Sequence, residues 1–133
     1  MEKYLLDTST CIFFFKKKFN VDKHLLQVGI ENCAISEITL AELVYGAECS
    51  EDVEKNMTII NNFIQHIRVL PLLNTIGVFA KEKALLRKMG NLIDDLDLFI
   101  GSTAIANNMV LVTDNEKHLS RLSGIQIENW VVR

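Results

Sequence analysis

The chain has 133 residues, 49% of them apolar, which suits one domain built on one core. Its 14 Lys+Arg against 17 Asp+Glu leave a net charge of −3, excluding both a generally basic nucleic-acid coat and an acidic disordered chain. No apolar run approaches the ~18 residues that span a bilayer, and the start Met1-Glu2-Lys3-Tyr4 lacks a basic segment followed by an apolar one, so a cytosolic protein is expected.

Tyr4-Leu5-Leu6 ahead of Asp7-Thr8-Ser9 predicts a buried strand that hands over to a helix, with Asp7 at the strand's carboxyl edge. That helix runs from Thr10 through Ile12, Phe13, Phe14 and Phe15 to Lys16-Lys17-Lys18, whose charge suits a helix C-terminus. A short helix over Val21–Val28 ends at Gly29, and Cys33–Ser36 reads as a second buried strand, parallel to the first. Leu40, Leu43, Val44 and Ala47 then mark one face of a helix, and Glu42 lies off that face. Met57, Ile60, Phe63, Ile64 and Ile67 repeat the spacing, giving a long amphipathic helix over 51–66 paired with its predecessor and capped by Ser50.

Arg68–Leu70, closed by Pro71, is a brief strand, and a helix from Ile76 ends near Gly90. Leu98, Phe99, Ile100, Ala104 and Ile105 predict a buried helix starting at or just before Asp97. Met109-Val110-Leu111-Val112-Thr113 is the clearest strand, and a small helix over 116–122 and a strand over 125–131 follow. Strands alternating with helices predict one α/β domain over 1–133, with a mainly parallel central sheet flanked by helices.

Cys11, Cys33 and Cys49 are odd in number and form no CxxC, so reduced, packed thiols are expected rather than disulfides or zinc ligands. His24, His66 and His118 form no HExxH and read as ordinary surface or satisfied histidines. The six glycines never cluster into GxGxxG or GxxxxGK[ST], which excludes dinucleotide and P-loop sites.

Open α/β sheets bind ligands beyond the carboxyl ends of their strands. Asp7 and Thr113-Asp114-Asn115-Glu116 fall there, Glu42 follows the second strand, and Asp97 heads the helix before the Met109 strand. Carboxylates gathered in one cleft repel one another unless a cation neutralises them, and an all-oxygen set suits Mg²⁺ or Mn²⁺. A hard divalent ion among acids implies phosphodiester hydrolysis. Each acid also has a plainer reading: Asp7 and Asp97 as helix caps, Glu42 as a solvated helix residue.

Four blocks in this order, Leu5-Leu6-Asp7-Thr8-Ser9, Ile38 to Ala47, Ile93-Asp94-Asp95-Leu96-Asp97-Leu98-Phe99-Ile100 and Leu111-Val112-Thr113-Asp114-Asn115, resemble the PIN-domain ribonucleases. The likeness extends to Ile127-Glu128-Asn129-Trp130, covers nearly the whole chain and is nearest to the toxins of VapBC toxin-antitoxin pairs. The resemblance implies a Mg²⁺-dependent endoribonuclease toxin, with Mn²⁺ as a possible substitute. Asp7, Glu42 and Asp97 would be the metal ligands, Ser9 and Thr113 polar supports, and Asp95 a further acid. Asn115 stands where the family's fourth acid is expected, flanked by Asp114 and Glu116. The resemblance also implies a homodimer, a VapB-like antitoxin covering the cleft, and a structured RNA substrate such as tRNA or rRNA.

An acidic chain must hold RNA through local cations, for which Lys16, Lys17, Lys18, Lys81, Lys83, Arg87, Lys88, Lys117 and Arg121 are the candidates. Receiver domains and haloacid-dehalogenase-type phosphatases share the architecture but want a second acid near Asp7, where Thr8 and Ser9 stand. The competing class is a catalytically weakened module that keeps the fold to bind RNA or a protein partner.

Overall fold

The computed structural model describes residues 2–133; Met1, the first residue of the predicted domain, lies outside them. Five strands, β1 (Tyr4–Leu6), β2 (Cys33–Ser36), β3 (Arg68–Leu70), β4 (Val110–Val112) and β5 (Ile127–Glu128), form one sheet in the order β3-β2-β1-β4-β5. Every pairing is parallel, with Leu5 opposite both Ala34 and Leu111. Between them run α1 (Thr8–Lys16), α2 (Val21–Val28), α3 (Glu37–Glu48), α4 (Val53–Ile64), α5 (Ile76–Lys88), α6 (Asp95–Ala106) and α7 (Glu116–Leu119).

Strand side chains alternate between faces, so each central strand must be apolar on both. Leu6, Ile35 and Val112 pack into a core with Cys11, Val21, Leu25, Leu43, Ile60 and Phe63, from α1 to α4. Leu5, Ala34 and Leu111 enter the opposite core with Leu86, Leu98, Ile100 and Leu119, from α5 to α7. The Phe run belongs to the first core: Phe15 meets Phe63 edge-on at 5.0 Å, and Phe13 meets Phe19 at 4.9 Å.

Several boundaries move for identifiable reasons. The cap of α4 is Asp52, not Ser50, because the Asp52 carboxylate accepts the Lys55 amide at 3.1 Å. Ser50 instead donates to the Ala47 carbonyl at 2.6 Å, closing α3. Asp94 caps α6, accepting the Leu96 and Asp97 amides, so Asp97 stands inside the first turn and is not itself the cap. The last strand shrinks to two residues, and α7 stops at Leu119. Cys11 and Cys33 are buried as expected, whereas Cys49 is exposed on the outer end of α3. His24 is half-buried and stacks on Trp130, ring centroids 4.4 Å apart.

Strand order reverses direction at β1, which lies between β2 and β4. The crevice at such a switch point opens above the carboxyl ends of β1 and β4, where Asp7 and Thr113 begin their loops. The Asp7 amide donates to the Val112 carbonyl at 3.0 Å, fixing the two ends side by side.

Candidate active site

Asp7 leaves β1 in extended conformation and caps α1, its Oδ1 accepting the Thr10 amide at 2.9 Å. The plainer reading of Asp7 is therefore also true of it. Capping does not account for its burial, however: only 7% of the residue is exposed. Burial pushes its carboxyl above the ordinary carboxylate range, with the Thr113 and Thr10 hydroxyls and the Thr10 amide pulling back and the Asp114 charge adding to the rise.

Asp97, on the first turn of α6, is also raised, first by burial and then by the charges of Asp94, Asp7 and Glu42, while His118 acts in the opposite sense. The charges of Asp7 and Glu42, distant in sequence, thus both reach Asp97. Glu42 approaches from α3, where its Oε1 accepts the Thr8 hydroxyl at 2.5 Å. The same hydroxyl lies 3.3 Å from that of Thr39, itself buried at the base of α3.

Thr113 is fully buried, and its Oγ1 accepts the Asn115 amide at 2.9 Å, turning the chain after β4 back toward the crevice. The Asn115 side chain then donates to Asp97 Oδ2 at 3.4 Å. Of the residues around the fourth position, Asn115 is the one joined to the acids. Asp114 is forked to Arg133, whose guanidinium and Asn129 together hold its carboxyl below the ordinary range. Exposed Glu116 accepts the Asn129 amide at 3.1 Å.

Asp95 stands two residues from Asp97, and helical neighbours at that offset point apart. It pairs with Lys83 of α5, Nζ to Oδ1 2.9 Å, outside the acid group. Ser9 is exposed, and no side-chain hydrogen bond reaches it among the described residues. The neighbouring Thr8 and Thr10 make the contacts instead, Thr10 donating to the Val112 carbonyl at 3.2 Å. Both lay in the Asp7-Thr8-Ser9-Thr10 run, but sequence does not reveal which hydroxyls turn inward. Arg133 and His118 gave no signal at all.

No Lys, Arg or His forms an ion pair with Asp7, Glu42 or Asp97 among the described residues. Nor do any three of His, Cys, Asp or Glu there stand close enough to close a metal site by themselves. An all-oxygen donor set in which Asp97 feels the charges of Asp7 and Glu42 suits a hard cation. Mg²⁺ usually takes one or two protein carboxylates and keeps several waters, so such a site does not require three protein ligands in contact.

Beside Glu42, a groove of about 380 Å³ opens between α1, α3 and α4, lined by Ile12, Phe15, Leu43, Ile59 and Ile60 with Lys16 and Lys55. Of the other candidate cations, Lys83 is engaged by Asp95 and Arg121 donates to the Asn91 carbonyl at 3.3 Å. Lys17, Lys18, Lys81, Arg87, Lys88 and Lys117 are exposed. No helix is long and apolar enough to cross a membrane among the described residues.

Comparison with known proteins agrees with this architecture. The PIN domain family matches residues 4–125. The tRNA(fMet)-specific endonuclease VapC of Salmonella typhimurium is 34% identical over 131 residues, covering 98% of this chain and 99% of that one. A ribonuclease VapC of Haemophilus influenzae is 35% identical over 133 residues, covering 98% and 100%. Among solved structures, DNA-bound VapBC from Salmonella typhimurium superposes with a TM-score of 0.90 at 34% identity over 98% and 99% of the two chains. VapBC2 from Rickettsia felis, bound to a promoter fragment, gives 0.88 at 32% identity over 96% and 98%. With its sheet order, its crevice and its full-length relatives in accord, the chain belongs to the PIN-domain family, among the VapC ribonucleases of VapBC pairs.

Proposed function

We propose that this chain is a Mg²⁺-dependent endoribonuclease in which Asp7 and Asp97 would hold the ion, with Glu42 and Asn115 lining the same site. The observation that supports this most is that the charges of Asp7 and Glu42 converge on Asp97, with no cation among the described residues paired to any of the three. A bound Mg²⁺, or Mn²⁺ in its place, would supply Lewis acidity toward water and toward the phosphodiester oxygens. The bond from phosphorus to the leaving alkoxide breaks as the bond to the attacking water oxygen forms.

Around that chemistry the side chains orient and handle protons. Glu42, steadied by the Thr8 hydroxyl, turns a carboxylate toward the cleft as a proton acceptor. Thr113 fixes the turn that carries Asn115, and Asp7 stays in place through the cap of α1. Ser9 and Asp95 are proposed as outer polar and acidic contributors, engaged only when substrate or metal enters. Replacing Thr8 by Val, which removes the hydroxyl and keeps the shape, is expected to lower cleavage about 10-fold to 100-fold, the usual cost of losing a partner that orients a site group. Initial rates on a labelled RNA, compared at equal folded fraction, check this.

A structured RNA, with tRNA first, is the proposed substrate, since the Salmonella relative is named for tRNA(fMet). The proposed protein partner is a VapB-like antitoxin, one segment of which fits the apolar groove beside Glu42 and so covers the cleft. Two copies of the chain are proposed to pair, and the cytoplasm, where tRNA resides, is the proposed compartment. The second reading, a weakened binding module, is favoured by one fact only, an amide at Asn115 in place of a carboxylate.

Sequencing the 5′ ends generated from total RNA by the purified, antitoxin-free chain separates the two. A small set of new ends is expected with Mg²⁺ and none with EDTA or with the Asp7→Asn variant. Ends that persist in EDTA overturn the metal, and their absence under every condition overturns catalysis.

A further inference from the structure

An RNA strand approaching Asp7, Glu42 and Asp97 meets repulsion, and flexible exposed lysines offset it only diffusely. Arg133 differs from them in being fixed. Its Nη1 and Nη2 donate to Asp114 Oδ1 and Oδ2 at 3.1 and 2.7 Å, and its guanidinium lies over the Phe19 ring at 5.0 Å. The preceding amide, that of Val132, donates to the Phe19 carbonyl at 3.0 Å. Asp114 is steadied in turn by the Asn129 side chain at 3.0 Å.

Asp114 directly follows Thr113 at the carboxyl end of β4, and its charge reaches Asp7. Arg133 is therefore tied to the loop that leaves β4 where the Asp7 amide meets the Val112 carbonyl. A guanidinium has five N–H donors, of which the fork to Asp114 uses two. The Nε edge and one further hydrogen on each Nη are left, on a side chain 61% exposed. An ion pair this exposed contributes little to stability, so stability gives slight reason for so fully restrained an arginine.

We propose that Arg133 is a substrate-positioning residue that grips a backbone phosphate of RNA at the rim of the acidic crevice, with Asp114 and Phe19 holding its guanidinium edge-outward. The inference rests on the ribonuclease reading above. A planar fork suits the two oxygens of a phosphodiester in a way that a lysine does not. By anchoring the strand beside β4, Arg133 sets which linkage lies over Asp7 and Asp97.

Binding of fluorescently labelled tRNA, followed by anisotropy between about 50 and 200 mM KCl in the cleavage-deficient Asp7→Asn protein, tests this. Adding Arg133→Ala is expected to weaken binding about 10-fold and to lower the slope of log affinity against log salt by about 1, the share of one phosphate contact. Arg133→Lys should recover most of the slope but only part of the affinity. In the active protein Arg133→Ala should raise KM while kcat stays within about twofold, a split that a merely structural tie would not give. Equal affinity and slope with and without Arg133, where tRNA is bound, overturn this assignment alone. Failure of the Arg133-containing protein to bind any RNA overturns the ribonuclease reading and this one together.

Discussion

Asp7→Asn is expected to abolish cleavage while leaving the fold intact. Loss of a group that merely orients a metal ligand costs about 10-fold to 100-fold, so removing a carboxylate proposed to hold the ion itself should exceed the upper figure. Asparagine caps helices about as well as aspartate, so the Thr10 amide keeps its acceptor and α1 its start. Stability should move the other way. Burial raises the Asp7 carboxyl in the folded chain above its unfolded value, so its contribution is complete below the ordinary carboxylate range and is lost as pH rises through the raised value.

Asp97 has the same sign, and the Asp7 charge contributes to its rise, so deleting that charge also relieves Asp97. Asp114, lowered by Arg133, works oppositely, but its pair with the exposed Arg133 is screened and weighs little. Without metal at pH 7.5, the Asp7→Asn protein should therefore melt at or above the temperature of the parent, the gap closing as pH falls toward the ordinary carboxylate range. Mg²⁺ should raise the melting temperature of the parent more than that of the variant. Thermal melts with EDTA and with Mg²⁺ at two pH values read both effects, and a variant that cleaves at the parental rate removes Asp7 from the site.

The second large effect concerns Gly101. It lies buried in α6, one turn beyond Asp97, where a Cβ would come within 2.6 Å of Leu122 Cδ1 and 3.1 Å of Leu119 Cδ2. Both leucines are themselves buried, so neither has free space to retreat into. Gly101→Val should cost about 3 kcal/mol through overpacking, lowering the melting temperature by about 10 °C. Because α7 begins next to Asn115, the displacement also draws Asn115 away from Asp97. Gly77→Ala, in α5 with nothing within 4 Å of the added methyl, is the contrast: better helix propensity should stabilise by up to about 1 kcal/mol. A Gly101→Val protein melting within about 2 °C of the parent would show that α7 moves aside freely.

Much of the architecture was legible because periodicity and punctuation agree. The apolar runs at Leu5-Leu6, Ala34-Ile35 and Val110 to Val112 are apolar on both faces, as a strand between two helical layers must be. Caps were harder, because Ser50, Asp52, Asp94 and Asp97 are all competent caps, and the choice depends on which oxygen meets a free amide. The last strand was overestimated because the alternation from Ile125 to Val131 continues past its pairing: Trp130 turns into the core with its Nε1 on Glu128.

The sequence by itself determined the outline of the chemistry: acids after the first, second and fourth strands or heading the helix between them, no histidine or cysteine grouping, and a strand-helix alternation that sends those segments to one edge. Tertiary structure alone decided which polar groups share the crevice. Thr8 rather than Ser9 meets Glu42, Asn115 rather than Asp114 meets Asp97, and Asp95 turns to Lys83. These choices depend on helix phase and on contacts 12 to 34 residues apart in the chain, which no local pattern encodes.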